Sequence, residues 1–168
     1  MKRYLTILAS AAALCIPAAA LAADATPNAS QLALQSCKTQ QATLAPSVFK
    51  ATYPTFGKCV SKAMHSAQSA IQNAAEQCKA ESTDANFAAA HSGSTFAQVY
   101  GNAKGKNADA NAMGKCVSTK AHAANDARTQ AVVNAARFCR NARTANAASF
   151  ATTYGSFGAC VSQKTKSS

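Results

Sequence analysis

The chain has 168 residues, with 17 Lys or Arg against 6 Asp or Glu and a formal net charge of +11. Alanine fills 43 positions and tryptophan none. The length fits one domain, and so few carboxylates leave little material for paired acid/base catalysis.

The first 22 residues read as a secretory signal peptide. Lys2 and Arg3 form a charged start, residues 4–17 an apolar run, and Ala20-Leu21-Ala22 a small-x-small cleavage site. The run is short and Ala-rich for a retained membrane span. Cys15 follows Leu14, a poor match to a lipoprotein site, and is expected to leave with the peptide. Removing 22 residues, two of them basic, leaves residues 23–168 as a single domain of 146 residues with a charge of +9. Its six cysteines, Cys37, Cys59, Cys78, Cys116, Cys139 and Cys160, form an even set in an exported chain. That pattern implies a disulfide framework.

An internal repeat organises the mature chain. Phe49-x-x-x-Tyr53 precedes Phe56-Gly57-Lys58-Cys59-Val60-Ser61. Phe96-x-x-x-Tyr100-Gly101 precedes Met113-Gly114-Lys115-Cys116-Val117-Ser118. Phe150-x-x-x-Tyr154-Gly155 precedes Phe157-Gly158-Ala159-Cys160-Val161-Ser162. A cysteine followed by a base opens each unit: Cys37-Lys38, Cys78-Lys79 and Cys139-Arg140. Over about residues 37 to 162 this pattern resembles repeats in secreted bacterial proteins that carry a similar "FGKCVS" string after a "YG" turn. The resemblance implies no activity, ligand or catalytic residue.

A first helix is expected over about residues 30–41, where Leu32 and Leu34 give a weak pattern. The Phe-x-x-x-Tyr pairs have the spacing of neighbours on one helical face. They read as short helices entered from Ser47, Ser94 and Asn146 as N-caps, and as core under each loop rather than a ligand cage. Val60, Ala63, Met64, Ala67, Ile71, Ala74, Ala75 and Cys78 recur at steps of three and four. Val117, Ala121, Ala124, Ala131, Ala135, Phe138 and Ala142 do the same. Both are stripes of long amphipathic helices. No segment alternates with period two. The expected fold is therefore all-α: an antiparallel helical bundle or repeat of about three units, stapled by disulfides, with no sheet.

Helix length constrains the pairing. Cys59 and Cys78 lie about 28 Å apart along one helix, and Cys116 and Cys139 about 34 Å. A disulfide needs Cα atoms within about 7 Å. Antiparallel neighbours favour Cys37–Cys59, Cys78–Cys116 and Cys139–Cys160. An alternative keeps Cys78–Cys116 and reshuffles the other four, which share one end of the bundle. The cysteines read as structural, since no C-x-x-C pair exists.

The second unit is longer than the others, with extra residues in 81–93 and mostly in 101–111. The latter is Gly-, Asn- and Lys-rich and reads as a basic surface loop. Lys104 and Lys106 do not complete a phosphate-binding P-loop.

The sequence holds no G-x-S-x-G or H-E-x-x-H. His65, His91 and His122 sit in separate elements, Glu76 and Glu81 flank a helix end as solvated acids, and Asp84 reads as a cap. No enzymatic activity, metal or cofactor is implied. Charge is the remaining clue. Arg137, Arg140 and Arg143 step by three into a basic ridge and, with Lys104 and Lys106, are the candidate anion-binding residues. The expected role is a secreted structural or binding protein. Its expected partner is an anionic polysaccharide, an envelope phosphate polymer or an anionic lipid surface. The alternatives are a membrane-acting basic factor of toxin or antimicrobial type, or a nucleic-acid-binding protein whose Phe/Tyr pairs stack bases. Export disfavours the last.

Overall fold

The computed structural model describes residues 27–101 and 111–167. The expected signal peptide, Cys15, Lys104, Lys106 and most of the 101–111 loop lie outside the described residues. Within them the regular elements are all α-helices: α1 (Ala29–Thr43), α2 (Pro46–Thr52), α3 (Phe56–Thr83), α4 (Phe87–Ala90), α5 (Phe96–Tyr100), α6 (Ala112–Ala145), α7 (Ala147–Tyr154) and α8 (Phe157–Lys166).

Each repeat unit carries a helix ending near a cysteine, a short aromatic helix, and a new helix starting at G-x-C-V-S. Local chemistry sets the boundaries. Thr55 and Ser156 cap α3 and α8 by accepting from the Lys58 and Ala159 backbone N–H groups. Thr95 and Gln98 form a reciprocal capping box on α5. Asn146 caps α7 as expected, accepting from the Ser149 N–H. Two expected caps shift. Thr95, not Ser94, caps α5. Helix α2 starts at Pro46 with Ala45 at the cap and no side-chain bond, so Ser47 lies inside the helix. Proline's fixed φ and missing N–H suit the first helical position.

The turns between the aromatic and cysteine helices differ in means. In the first unit Pro54 follows Tyr53, which ends α2 in extended backbone. In the third, Gly155 takes φ 67° and ψ −45°, and the Ser156 N–H bonds the Tyr154 carbonyl at 2.7 Å. That is a γ-turn with positive φ, a conformation that suits glycine because it lacks a Cβ.

Three disulfides link Cys37–Cys59, Cys78–Cys116 and Cys139–Cys160, with Cα separations of 5.9, 5.9 and 6.0 Å. All six cysteines are fully buried. The bridges join the end of one helix to the start of the next, so α3 runs antiparallel to both α1 and α6, and α8 antiparallel to α6. Helix α6 packs against six others: α1, α2, α3, α5, α7 and α8.

The core has two parts. One surrounds Cys37–Cys59 and Cys139–Cys160 and holds Phe49, Tyr53, Val133, Phe150, Phe157 and Val161. The other surrounds Cys78–Cys116 and holds Leu32, Ala33, Ala67, Ala74, Val117 and Ala121. The two bridges of the first part share one end of the molecule, and Cys78–Cys116 lies at the other. Every Phe/Tyr pair is in ring contact, at 5.5, 4.9 and 5.1 Å between centroids. Phe138 departs from its expected buried place: it is 47% exposed, with the Lys164 ammonium 4.8 Å from its ring centroid.

Candidate anion-binding half and cleft

The axial register sorts the charges. Ser36 meets Thr129 and Leu32 meets Asn125, which sets α1 beside the C-terminal half of α6. The disulfides set the register of α3 and α8. Lys38, Lys50, Lys58, Lys62, Arg137, Arg140, Arg143, Lys164 and Lys166 then fall in the half of the bundle with two disulfides, and Arg128 sits at its inner edge, at mid-height. No described carboxylate falls there. Glu76, Glu81, Asp84 and Asp126 lie toward the opposite end or at mid-height, with Lys79, Lys115 and Lys120. Nine of the ten bases are exposed, and Lys164 is half-buried.

Within this half, Arg137, Arg140 and Arg143 are all exposed along the last turns of α6. The Arg143 guanidinium lies 5.2 Å from the Phe157 ring centroid, a cation–π contact that also favours a cation at a helix C-terminus. The ridge expected from the sequence therefore sits in a wider basic surface.

A polar network crosses the interior beneath it. Tyr53 OH donates to Gln40 Oε1 at 3.0 Å, and Gln40 Nε2 donates to Ser36 Oγ at 3.0 Å. Thr129 Oγ1 donates to the Asn125 carbonyl at 2.8 Å. The 2.7 Å contact between Ser36 and Thr129 is therefore donated by Ser36. Burial pushes the Tyr53 phenol above its ordinary value of 10.0, while the Arg128 charge opposes this. The chain of bonds ends beside a cavity of about 40 Å³ lined in part by Ser36, Gln40, Tyr53, Lys62 and Arg128. Ser66, Asn125 and Arg128 also line an open cleft of about 360 Å³ between α3 and α6, with His65, Ser69 and Asn73.

No family model matches this chain. Nor does any curated protein or solved structure.

The far end is built differently. Phe87 stacks on His91 at 3.9 Å between centroids, and Phe96 packs edge-on to Phe87. Glu81 is not simply solvated, as its place near a helix end suggests. Its Oε1 lies 2.9 Å from Lys120 Nζ, and its Oε2 accepts from Tyr100 OH at 3.1 Å. The Cys116 sulfur is 4.0 Å from Oε2, but it is in a disulfide and has no proton to donate. The Lys120 hydrogen bond holds Glu81 below its ordinary carboxyl value and Lys120 above its ordinary ammonium value. Tyr100 is raised by burial and then by the Glu81 bond. Asp84 ends α3, and its Oδ1 accepts from the Asn86 N–H.

The ion pair gives a signed pH dependence. The Glu81 contribution is present above the ordinary carboxyl value of 4.5 and is lost as pH falls through its lower folded value. The Lys120 contribution is present below 10.5 and is lost as pH rises through its higher folded value. Both side chains keep partial exposure, 30% and 24%, so the pair is worth about 0.2–1 kcal/mol. Glu81→Gln keeps an acceptor for Tyr100 and removes the charge. It is expected to lower stability by that amount at pH 7 and by less at pH 3, where more of the carboxyl is protonated, read from urea midpoints at the two pH values.

The histidines remain apart. His65 lies in the α3–α6 cleft, His91 in the far aromatic cluster and His122 half-buried on α6. No group of three His, Cys, Asp or Glu fit to hold a metal occurs among the described residues. No described helix is long and apolar enough to cross a membrane.

Proposed function

We propose that the protein is a secreted binding module that attaches to an anionic envelope or extracellular polysaccharide through its basic half. The observation that carries this reading is charge segregation: nine bases and no acid share one half of the described bundle, with Arg128 and Asp126 both at mid-height. A one-signed surface concentrates polyanions and releases their counterions on contact. Pairing of all six mature-chain cysteines fits an oxidising compartment and supports export by residues 1–22. Helices joined by two disulfides at the basic end hold the backbone positions of these charges fixed, which lowers the ordering cost of binding.

The test is fluorescence anisotropy with a labelled sulfated polysaccharide over a salt series. Affinity is expected to fall at least about tenfold between 50 and 200 mM salt, by counterion release. The triple variant Arg137→Gln/Arg140→Gln/Arg143→Gln is expected to bind more weakly and with a shallower salt slope. Lys79→Gln at the opposite end is expected to leave both unchanged. Equal losses from both variants, or no binding at low salt, would sink the reading.

A further inference from the structure

The α3–α6 cleft differs from the rest of the basic half because it combines charge with a buried polar floor. Arg128 and Lys62 both line the small inner cavity, and Lys62 Nζ lies 5.9 Å from the Tyr53 ring centroid. Neither cation has a carboxylate within ion-pair distance among the described residues. Asp126 is on α6 two residues before Arg128, which turns it about 160° away around the helix. Glu76 lies on α3 roughly three turns beyond Ser66. The site therefore presents two cations with no carboxylate among the described residues to neutralise them.

Asn125 supplies the second element. It is 5% exposed, and its Nδ2 makes a long 3.4 Å bond to the Leu32 carbonyl. No buried side-chain polar atom among the described residues lacks a partner, and Oδ1 makes no bond to a described residue, so it keeps solvent access at the wall shared by the cleft and the inner cavity. Ser66 and Ser69 add hydroxyls, and Asn73 an amide, along the same wall. The cleft volume, about 360 Å³, falls in the range of small-ligand sites. Its lining includes no Phe, Tyr or Trp, and its one ring is the small imidazole of the exposed His65, so it offers no broad stacking platform for a nucleobase.

We propose that this cleft seats one compact oxyanion group, carboxylate or phosphate, carried on a hydroxylated unit of an anionic polymer. The planar guanidinium of Arg128 takes two oxygens of the anion in its fork. Lys62 adds a second positive charge from the cavity side. Asn125, Ser66, Ser69 and Asn73 take the neighbouring hydroxyls. This inference rests on the polymer-binding reading and adds one defined seat to a diffuse charged surface.

The test is an amide NMR titration of the oxidised protein with inorganic phosphate, glucuronate and glucose. Phosphate or glucuronate is expected to shift Ser66, Ser69 and Asn125 saturably, with Kd on the order of 1 mM. Glucose at equal concentration is expected to shift none of them. The tighter of the two anions identifies the source as envelope phosphate or acidic sugar. Arg128→Gln is expected to weaken this binding at least about tenfold, and Arg128→Lys less, because it keeps charge but loses the fork. Ser69→Trp, which fills the cleft from an exposed helical position, is expected to give a similar loss with no change in charge. The triple Arg137/Arg140/Arg143→Gln variant is expected to keep cleft binding. Shifts confined to the Arg137–Arg143 end, shifts indifferent to Arg128→Gln, or no shifts would overturn the seat. Polymer binding that persists beside any of those results leaves the broader reading standing. Loss of polymer binding as well removes both.

Discussion

Reduction of the three disulfides is expected to unfold the protein. The helices are rich in alanine, and much of the core is small: Ala33, Ala67, Ala74, Ala121, Ala135 and Ala136 are buried beside a limited set of Phe, Val and Leu. Each buried methyl removes little apolar surface from water, so packing energy per residue is low. The bridges close loops with sequence separations of 22, 38 and 21. In the chain-entropy model each contributes about 3–4 kcal/mol. Together they match the whole stability of a small domain, about 5–15 kcal/mol. Far-UV circular dichroism at 25 °C, with and without a phosphine reductant, reads the outcome. The expected result is loss of most helical signal on reduction and recovery on reoxidation. A cooperative melt that survives reduction would show that packing suffices. Removing one bridge separates local from global effects. Cys78→Ala/Cys116→Ala deletes the bridge at the far end and is expected to cost about 4 kcal/mol in urea unfolding. It also frees α5, which packs on α6 beside that bridge. Amide exchange in α4 and α5 is expected to rise before exchange in α1 and α2.

The fold was legible where length and spacing carry physical force. Nineteen residues of continuous helix cannot fold back to join Cys59 to Cys78, so helix length excludes that pair, but it leaves the pairing among Cys37, Cys59, Cys139 and Cys160 open because all four share one end. The long helices follow from alanine and period. The caps were less legible. Ser47 is a good cap type, but Pro46 beside it is a stronger start signal, and the helix obeys the proline. Phe138 fits the apolar stripe of α6, yet Phe150, Phe157 and Val161 already fill the core at that end, and Phe138 lies outside with Lys164 over it. A stripe read in apolar letters also passes over Asn125 and Thr129. They are four apart, share the buried arc of α6, and are 5% and 3% exposed. Nothing local marks them as interior, because their partners Leu32 and Ser36 stand 93 positions away. The basic ridge was visible as a spacing. The segregation of charge was not, since it depends on which ends of α1, α3, α6 and α8 lie side by side. Glu81 was unreadable for the same reason, with Lys120 and Tyr100 both brought in from other helices.

Gln40→Leu is expected to cost more than deleting the paired Ser36 and Thr129 hydroxyls. Gln40 is 2% exposed and joins Tyr53 to Ser36 through both ends of its amide. Leucine has nearly the same bulk, so the change removes hydrogen bonds more than volume. The Tyr53 hydroxyl then loses its acceptor at a 6% exposed position. A buried polar group left without a partner costs about 1–3 kcal/mol. Ser36 loses only a donor to its oxygen and keeps its bond to Thr129, so its share is small. The total expected loss is about 2 kcal/mol. The paired change Ser36→Ala/Thr129→Val behaves differently. It removes a donor and its acceptor together, and the Asn125 carbonyl keeps its place in the α6 backbone ladder. Gln40 Nε2 becomes the single orphan, and it borders the small cavity where one water can reach it. The expected cost is below about 1 kcal/mol. Adding Tyr53→Phe to Gln40→Leu removes the orphaned hydroxyl and is expected to recover part of the loss. Urea unfolding of the four proteins with disulfides intact decides the matter. If Gln40→Leu and the Ser36/Thr129 double variant cost the same, the network is only packing. If Tyr53→Phe rescues Gln40→Leu, the loss came from the Tyr53 hydroxyl buried without its acceptor.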